Sequence, residues 1–305
     1  MNDVVIHVSD FCKHYGDVTA VDRISFEVRR GEIFGLLGPN GAGKTTTLES
    51  LEGLRAPDSG SLRVMGVDPV HQAQKLRNLI GVQLQTSGMP DKIHVDEAMT
   101  LFCAYHGIAP RFDLLDRLGL SQKKSAQYQQ LSAGLQRRLS LAVAIAHDPP
   151  VLFLDEPTAG LDVPSRVELH KLMRELRTEG TTIVLATHDM AEVEEITDRV
   201  AILLQGKIAV TGSPLELTAT GSGMTKVSVR TKGSSLSDPE VTFPGVSKRV
   251  FREDYSIYYS TDVGPTVAAI IGHIEARGDT LIDLRVERPS LEDRFLEIVG
   301  EGNSQ

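Results

Sequence analysis

Three stretches of this chain are apolar at nearly every position: Ile33-Phe34-Gly35-Leu36-Leu37, Val151-Leu152-Phe153-Leu154 and Ile183-Val184-Leu185-Ala186. A strand without alternation is covered on both faces, which places such runs in the middle of a parallel sheet. Residues 4–8 and 20–28 alternate apolar and polar and predict two neighbouring half-buried strands, with an aromatic turn at 11–16 between them. Residues 53–66, rich in Gly, Pro and Asp, predict a connection from helix to strand. Residues 80–85 predict a short strand ending in glutamine and broken by 86–90, and 200–204 with 207–210 predict a hairpin around Gln205-Gly206. Helical spacing at 95–105 and 110–118 makes about 87–147 a helical insertion between two α/β strands. Apolar positions at 135, 139, 142 and 143 predict a helix capped by Ser132, and 165–178 an amphipathic helix ended by Gly180.

Beyond 218 the pattern changes. Residues 218–223 (Thr-Ala-Thr-Gly-Ser-Gly) read as a linker, followed by strands at 226–230, 255–260 and 281–286 and a helix at 266–276. Ser290 is placed to cap a last helix carrying Leu291, Phe295, Ile298 and Val299. The expected division is therefore 1–218 and 219–305, the second a small α/β or ferredoxin-like unit. It holds no constellation of catalytic residues; a regulatory or dimer-stabilising module and a stability appendage are both open readings.

Composition narrows the class. A chain of 305 residues accommodates two domains, and a formal charge of −9 argues against nucleic acid bound on a broad basic face. No apolar run approaches the roughly 20 residues of a membrane span. The first residues have neither the basic start nor the length of a signal peptide. Cys12 and Cys103 are isolated and fit a reducing compartment as packing residues.

The chemistry gathers at predicted strand ends. After the first buried run stands Gly38-Pro39-Asn40-Gly41-Ala42-Gly43-Lys44-Thr45-Thr46, with a helix predicted from Lys44. Glycines let the backbone turn without a Cβ in the way, so that successive N–H groups face one concavity at the positive end of a helix. Lys44 then supplies charge to the β- and γ-phosphates and Thr45 a hydroxyl to Mg²⁺. The second buried run ends in Asp155-Glu156: Asp155 is a Mg²⁺ ligand candidate, and Glu156 is placed to orient and deprotonate an attacking water. His188 closes the third run at the same edge, where α/β sheets bind ligands. Tyr15 is a candidate to lay its ring on a base, a contact worth about 1–3 kcal/mol by analogy with base stacking. Gln85 can touch a metal or a water, and Ser132 and Gly134 open a second anion-binding helix start.

Together these residues resemble the ATPase subunits of ABC transporters. Gly38 to Thr46 is similar to the Walker A loop, Gln85 to the Q-loop, Leu131 to Gln136 to the signature, Val151 to Glu156 to the Walker B strand with its catalytic glutamate, Gly160-Leu161-Asp162 to the D-loop, His188 to the switch histidine and Tyr15 to the adenine-stacking loop, all in the family's order across residues 4–218. Gly31 to Leu37, Arg137 to Ala142, Glu156 to Asp162 and Pro289 to Phe295 resemble the daunorubicin/doxorubicin-resistance type, the ABC-2 exporters. The resemblance implies a P-loop cassette with a RecA-like α/β core, an antiparallel β subdomain and a helical subdomain. It implies ATP and Mg²⁺ as ligands, catalytic Glu156, His188 and Gln85, and nucleotide contacts from Tyr15 and from Gly38, Asn40, Gly41, Ala42, Gly43, Lys44, Thr45 and Thr46. Thr45, Gln85 and Asp155 are the implied Mg²⁺ ligands, and Asp162 the D-loop residue. It also implies an ATP-sandwich dimer in which Ser132, Gly134 and Gln136 act on ATP held by a second copy. The chain is expected on the cytoplasmic face of a membrane, beside a separate permease and without nucleic acid. A soluble non-transport ABC ATPase and an ATP-binding regulatory cassette are the rival readings. The signature departs from Leu-Ser-Gly-Gly-Gln at Ala133 and Leu135. Were position 133 to need a positive φ, alanine would cost about 1–2 kcal/mol in closing the dimer.

Overall fold

The computed structural model describes residues 3–85, 88–220, 224–238 and 241–302. The chain falls into two units, residues 1–214 and 215–305. Of the 218–223 stretch read as a linker, residues 218–220 are instead the end of a helix that starts at Pro214, and residues 221–223, like residues 86–87 of the stretch read as a strand break, lie outside the described residues.

The first unit runs β1 (Val4–Tyr15), β2 (Val18–Arg29), β3 (Ile33–Leu37), α1 (Lys44–Leu51), β4 (Ser59–Val64), α2 (Ala73–Arg77), β5 (Ile80–Gln83), α3 (Val95–Tyr105), α4 (Phe112–Arg117), α5 (Ala133–Ala144), β6 (Val151–Asp155), α6 (Val163–Thr178), β7 (Thr182–Thr187), α7 (Met190–Ile196), β8 (Arg199–Leu204) and β9 (Lys207–Gly212). A six-stranded sheet has the order β5-β6-β7-β3-β8-β9 and is parallel except for the β8–β9 hairpin. A three-stranded antiparallel sheet, β2-β1-β4, stands beside it.

The uninterrupted apolar runs are what the central position requires: every residue of β3, β6 and β7 is buried. Alternate residues serve two cores. Leu152, Leu154, Ile183 and Leu185 pack with Val95, Met99, Leu139 and Met173 of the helices on one face. Val151, Phe153, Val184 and Ala186 pack on the other with Leu48 and Leu51 of α1 and with Val8, Phe11 and Val28 of the small sheet.

Two local readings are corrected. The aromatic turn before Gly16 is strand: β1 runs on to Tyr15, and register irregularities between Val8 and His14 blur its alternation. The connection at 53–66 contains β4, which pairs with β1 at Leu62 and Val64 and whose first residues are exposed and turn-like in composition.

The second unit contains α8 (Pro214–Thr220, which starts at the boundary), β10 (Thr225–Thr231), β11 (Val246–Arg252), β12 (Tyr255–Ser260), α9 (Val263–Ala276), β13 (Leu281–Glu287) and α10 (Leu291–Gly302). Its antiparallel sheet is ordered β11-β12-β10-β13. Val227, Val229 and Tyr258 form a core with Ile270 and Ile274 of α9. No helix joins β10 to β11 among the described residues, so a loop stands where a ferredoxin-like split βαβ carries its first helix. Ser290 caps α10 by accepting from Asp293 N at 3.1 Å.

Gly81 marks the tightest packing between β5 and α5: a Cβ there would lie 2.2 Å from the Ala144 carbonyl oxygen, a backbone atom. Gly81→Ala should destabilise the first unit by about 1–3 kcal/mol, a loss of several degrees in thermal midpoint that circular dichroism would register; an unchanged midpoint would contradict this packing.

Candidate active site

Parallel register brings the chemistry to one edge. Leu37 of β3 pairs with Thr187 of β7, and Ala186 of β7 with Asp155 of β6, so Gly38, His188 and Glu156 leave the sheet side by side. The turn after β3 is fixed by the left-handed φ of 101° at Gly43, where a Cβ would stand 2.6 Å from the Ala20 carbonyl oxygen. Gly43 gives α1 no side-chain cap, so the first N–H groups of that helix lack protein acceptors and are open to an anion.

Lys44 is 6% exposed and donates to Gly38 O at 2.8 Å and Pro39 O at 3.2 Å. Burial lowers its pKa, a shift that the carboxylates of Glu156 and Asp155 oppose. Its Nζ lies 3.8 Å from Glu156 Oε1. Thr45 Oγ1 donates to Asp155 Oδ2 at 2.9 Å, while Asp155 Oδ1 is buried without a partner. Burial raises the Asp155 pKa and the Thr45 hydrogen bond partly reverses it. Glu156 holds a left-handed φ of 48°, sparsely populated for a residue with a long side chain. His188 Nδ1 sits 2.9 Å from both Glu156 carboxylate oxygens, and its side chain is 57% exposed. Lys44, Thr45, Asp155, Glu156 and His188 thus form one connected group.

The other sequence candidates stand outside those contacts. The Tyr15 ring is half exposed at the end of β1, with the Arg55 guanidinium 5.4 Å and the Lys13 ammonium 5.7 Å from its centroid. Gln85 lies two residues beyond the end of β5 and is exposed. Ser132 caps α5, its Oγ accepting from Leu135 N at 3.4 Å, and Gln136 Nε2 turns back to Tyr128 O at 3.1 Å. Gly134 faces α6, where a Cβ would meet Ser165 Oγ at 3.1 Å, and Asp162 caps the same helix through Ser165 N at 3.0 Å. Ala133 is the first residue of α5 and is absent from the positive-φ positions, so the backbone penalty expected there does not arise.

Sequence reasoning passed over two side chains near this edge. Arg137 Nη1 donates to Leu84 O at 3.2 Å, tying α5 to the segment that leads to Gln85; its place one turn past Ser132 was the available signal. Glu52, just after α1, is 7% exposed with Oε2 unpartnered, and burial, reinforced by the charges of Asp155 and Glu49, pushes its pKa up to about 8. A carboxylate four residues after core residue Leu48 was the hint.

The comparisons fit this geometry. Residues 21–159 match the ABC transporter family model. The Nod factor export ATP-binding protein I of Ralstonia nicotianae is 36% identical over 97% of this chain and 94% of its own length. The chain belongs to the ATP-binding subunits of ABC transporters, in the ABC-2 export class. The daunorubicin resistance ATP-binding protein DrrA3 of Streptomyces coeruleorubidus is 34% identical over 99% of this chain and 98% of its own. Among solved structures, cbiO1 of Clostridium perfringens, described as part of the ABC transporter complex cbiONQ, aligns with a TM-score of 0.64 at 31% identity, over 72% of this chain and 92% of that one. As a subunit of this family the chain binds and hydrolyses ATP to power a membrane exporter. Among the described residues no helix is long and apolar enough to cross a membrane.

Two expectations follow. Because Ala133 is helical, Ala133→Gly should not raise ATP hydrolysis and should lower stability by up to about 1 kcal/mol; a several-fold gain in steady-state rate would contradict the assignment. The raised Glu52 pKa means that stability is fullest near and below the unfolded value of about 4.5 and declines as pH rises towards 8. Glu52→Gln should therefore flatten the pH dependence of the thermal midpoint between pH 5 and 8 in nucleotide-free protein; an unaltered slope would contradict it.

Proposed function

We propose that this chain hydrolyses ATP between Lys44, Asp155, Glu156 and His188 and passes the resulting closure and opening to a separate permease that exports a drug, lipid or other amphiphile. The observation that supports it most is the Glu156 carboxylate, held between Lys44 and His188 at the edge where the phosphate loop opens.

The loop N–H groups and the start of α1 hold the phosphates, and Lys44 exchanges its bonds to Gly38 O and Pro39 O for phosphate oxygens. Thr45 and the orphaned Asp155 Oδ1 form an oxygen donor set that would hold Mg²⁺ beside them, and Gln85, exposed beyond β5, would turn in to join it. When bound, Mg²⁺ neutralises charge building on the phosphate oxygens. Glu156 orients the attacking water and takes its proton as the oxygen bonds to the γ-phosphorus and ADP leaves. His188 holds Glu156 by hydrogen bonding to both carboxylate oxygens. Tyr15 stacks on adenine. Ser132, Gly134 and Gln136 act on ATP bound by a second copy, with Gln136 leaving Tyr128 O to do so, and Asp162 lies at that same dimer face.

The permease reading is supported by a groove of about 300 Å³ between β5 and α3, bounded by Leu54, Val82, Leu84, Phe102 and Tyr105. Leu54 and Tyr105 are 62% and 64% exposed, an apolar surface suited to a cytoplasmic helix of the membrane partner. Docked there, that helix lies against Leu84, next to Gln85, so nucleotide state and permease are read by the same segment.

Glu156→Gln should leave ATP binding intact, lower turnover by roughly 10²–10⁴, and trap an ATP-dependent dimer detectable by light scattering. Unchanged hydrolysis in that variant would overturn the assignment of Glu156 as the base.

A further inference from the structure

α6 and α7 follow the two loops that carry Asp162 and His188, and a row of ionic contacts joins them. Arg166 Nη1 lies 3.3 Å from Asp189 Oδ2, and Arg174 Nη2 lies 2.7 Å from Glu195 Oε1. His170 falls between these arginines at four-residue spacing, hence on the same face of α6. Its Nε2 is 3.3 Å from Glu192 Oε1 and its Nδ1 is 3.0 Å from Glu195 Oε2. The outer rungs are partly exposed, whereas His170 and Glu192 are each 1% exposed.

This middle rung reaches the chemistry. Glu192 Oε1 also accepts from Thr158 Oγ1 at 2.8 Å, and Glu192 Oε2 has no partner, so one oxygen of a buried carboxyl is shared by His170 and Thr158. Thr158 lies two residues after Glu156, whose backbone is in the left-handed region. Glu192 lies four residues after His188, and the Asp189 between them caps α7 through Glu192 N at 3.1 Å. With the 2.9 Å contact between His188 and Glu156, a ring closes: Glu156, His188, α7, Glu192, Thr158 and back to Glu156. His170 is its outer brace, because from α6 it holds the same Glu192 oxygen that the loop residue Thr158 holds.

A buried histidine–carboxyl contact alone does not require such a role, since apolar replacements of similar volume are often neutral for stability. Here the shared oxygen sits inside the ring that sets the distance between Glu156 and His188. We propose that His170 is a positioning residue for ATP hydrolysis, acting through Glu192 and Thr158 to hold the glutamate and histidine in register. The proposal rests on Glu156 being the base.

The test is a cycle of His170→Phe, Thr158→Val and the double variant in the full chain, with Glu156→Gln alongside, measuring kcat and KM for ATP hydrolysis and the thermal midpoint. His170→Phe should lower kcat, expressed per ATP-binding site titrated in the same preparation, roughly 10-fold with KM for ATP within twofold; loss of folding alone would lower the number of sites and leave kcat per site unchanged. Thr158→Val should do the same, and the double variant should be no slower than the worse single by more than twofold, because both act through one carboxyl oxygen. Should His170→Phe fail to fold, Thr158→Val carries the test, since it leaves the histidine paired: its kcat must fall while the thermal midpoint stays within a few degrees. Unchanged kcat in the single variants, or losses that multiply in the double, would overturn the proposal. Normal rates in His170→Phe together with an inactive Glu156→Gln would overturn only this inference, whereas an active Glu156→Gln would remove the reading on which it stands.

Discussion

Parallel register is the constraint on which this molecule depends. Because β3, β7 and β6 pair in step, their carboxyl ends stop at one edge, and the residues that follow each strand are delivered to the same few ångströms. The cores on the two faces exist to keep that register, which is why these three strands have no exposed side chain. The edge collects charge that the interior would otherwise reject. Lys44, Asp155 and Glu156 are all buried and are tolerated because each offsets the desolvation of another.

Much of this was legible in the sequence. Uniformly apolar runs identify central strands because no other environment accepts a hydrophobe at every position, and each run was followed within two residues by its chemical residue: Gly38, Asp155 or His188. The glycine turn into α1 was legible for a steric reason, since Gly43 alone fits a φ of 101° against Ala20. The reading faltered where local and tertiary signals differ. The irregular pairing of β1 hid its extension to Tyr15, and β4 opens on exposed serine and glycine that read as turn. α7 is too short to display a helical period, and β11 is only partly buried, so neither announced itself.

The side-chain network was least legible. His170, Glu192 and Thr158 are separated by 22 and 34 residues, and nothing in a run of charged positions on an amphipathic helix distinguishes the buried rung from its exposed neighbours. Ala133 shows the converse case: a departure from the family pattern would be costly only at a positive φ, and the backbone makes it an ordinary helical residue. Gln136 and Gly134 are engaged within their own subunit, one with Tyr128 and the other against Ser165. The nucleotide edge and the start of α5 are both built into one cassette.

A cassette that drives a separate membrane protein through the groove beside β5 must hold that protein there. The most direct measurement is affinity capture of the tagged chain from detergent-solubilised native membranes, compared with a Leu84→Glu variant in the same background. A polytopic membrane protein in stoichiometric amount with the unaltered chain, and lost with the variant, is the predicted result. Ribosomal proteins in its place, or no membrane partner with either chain, would contradict the account.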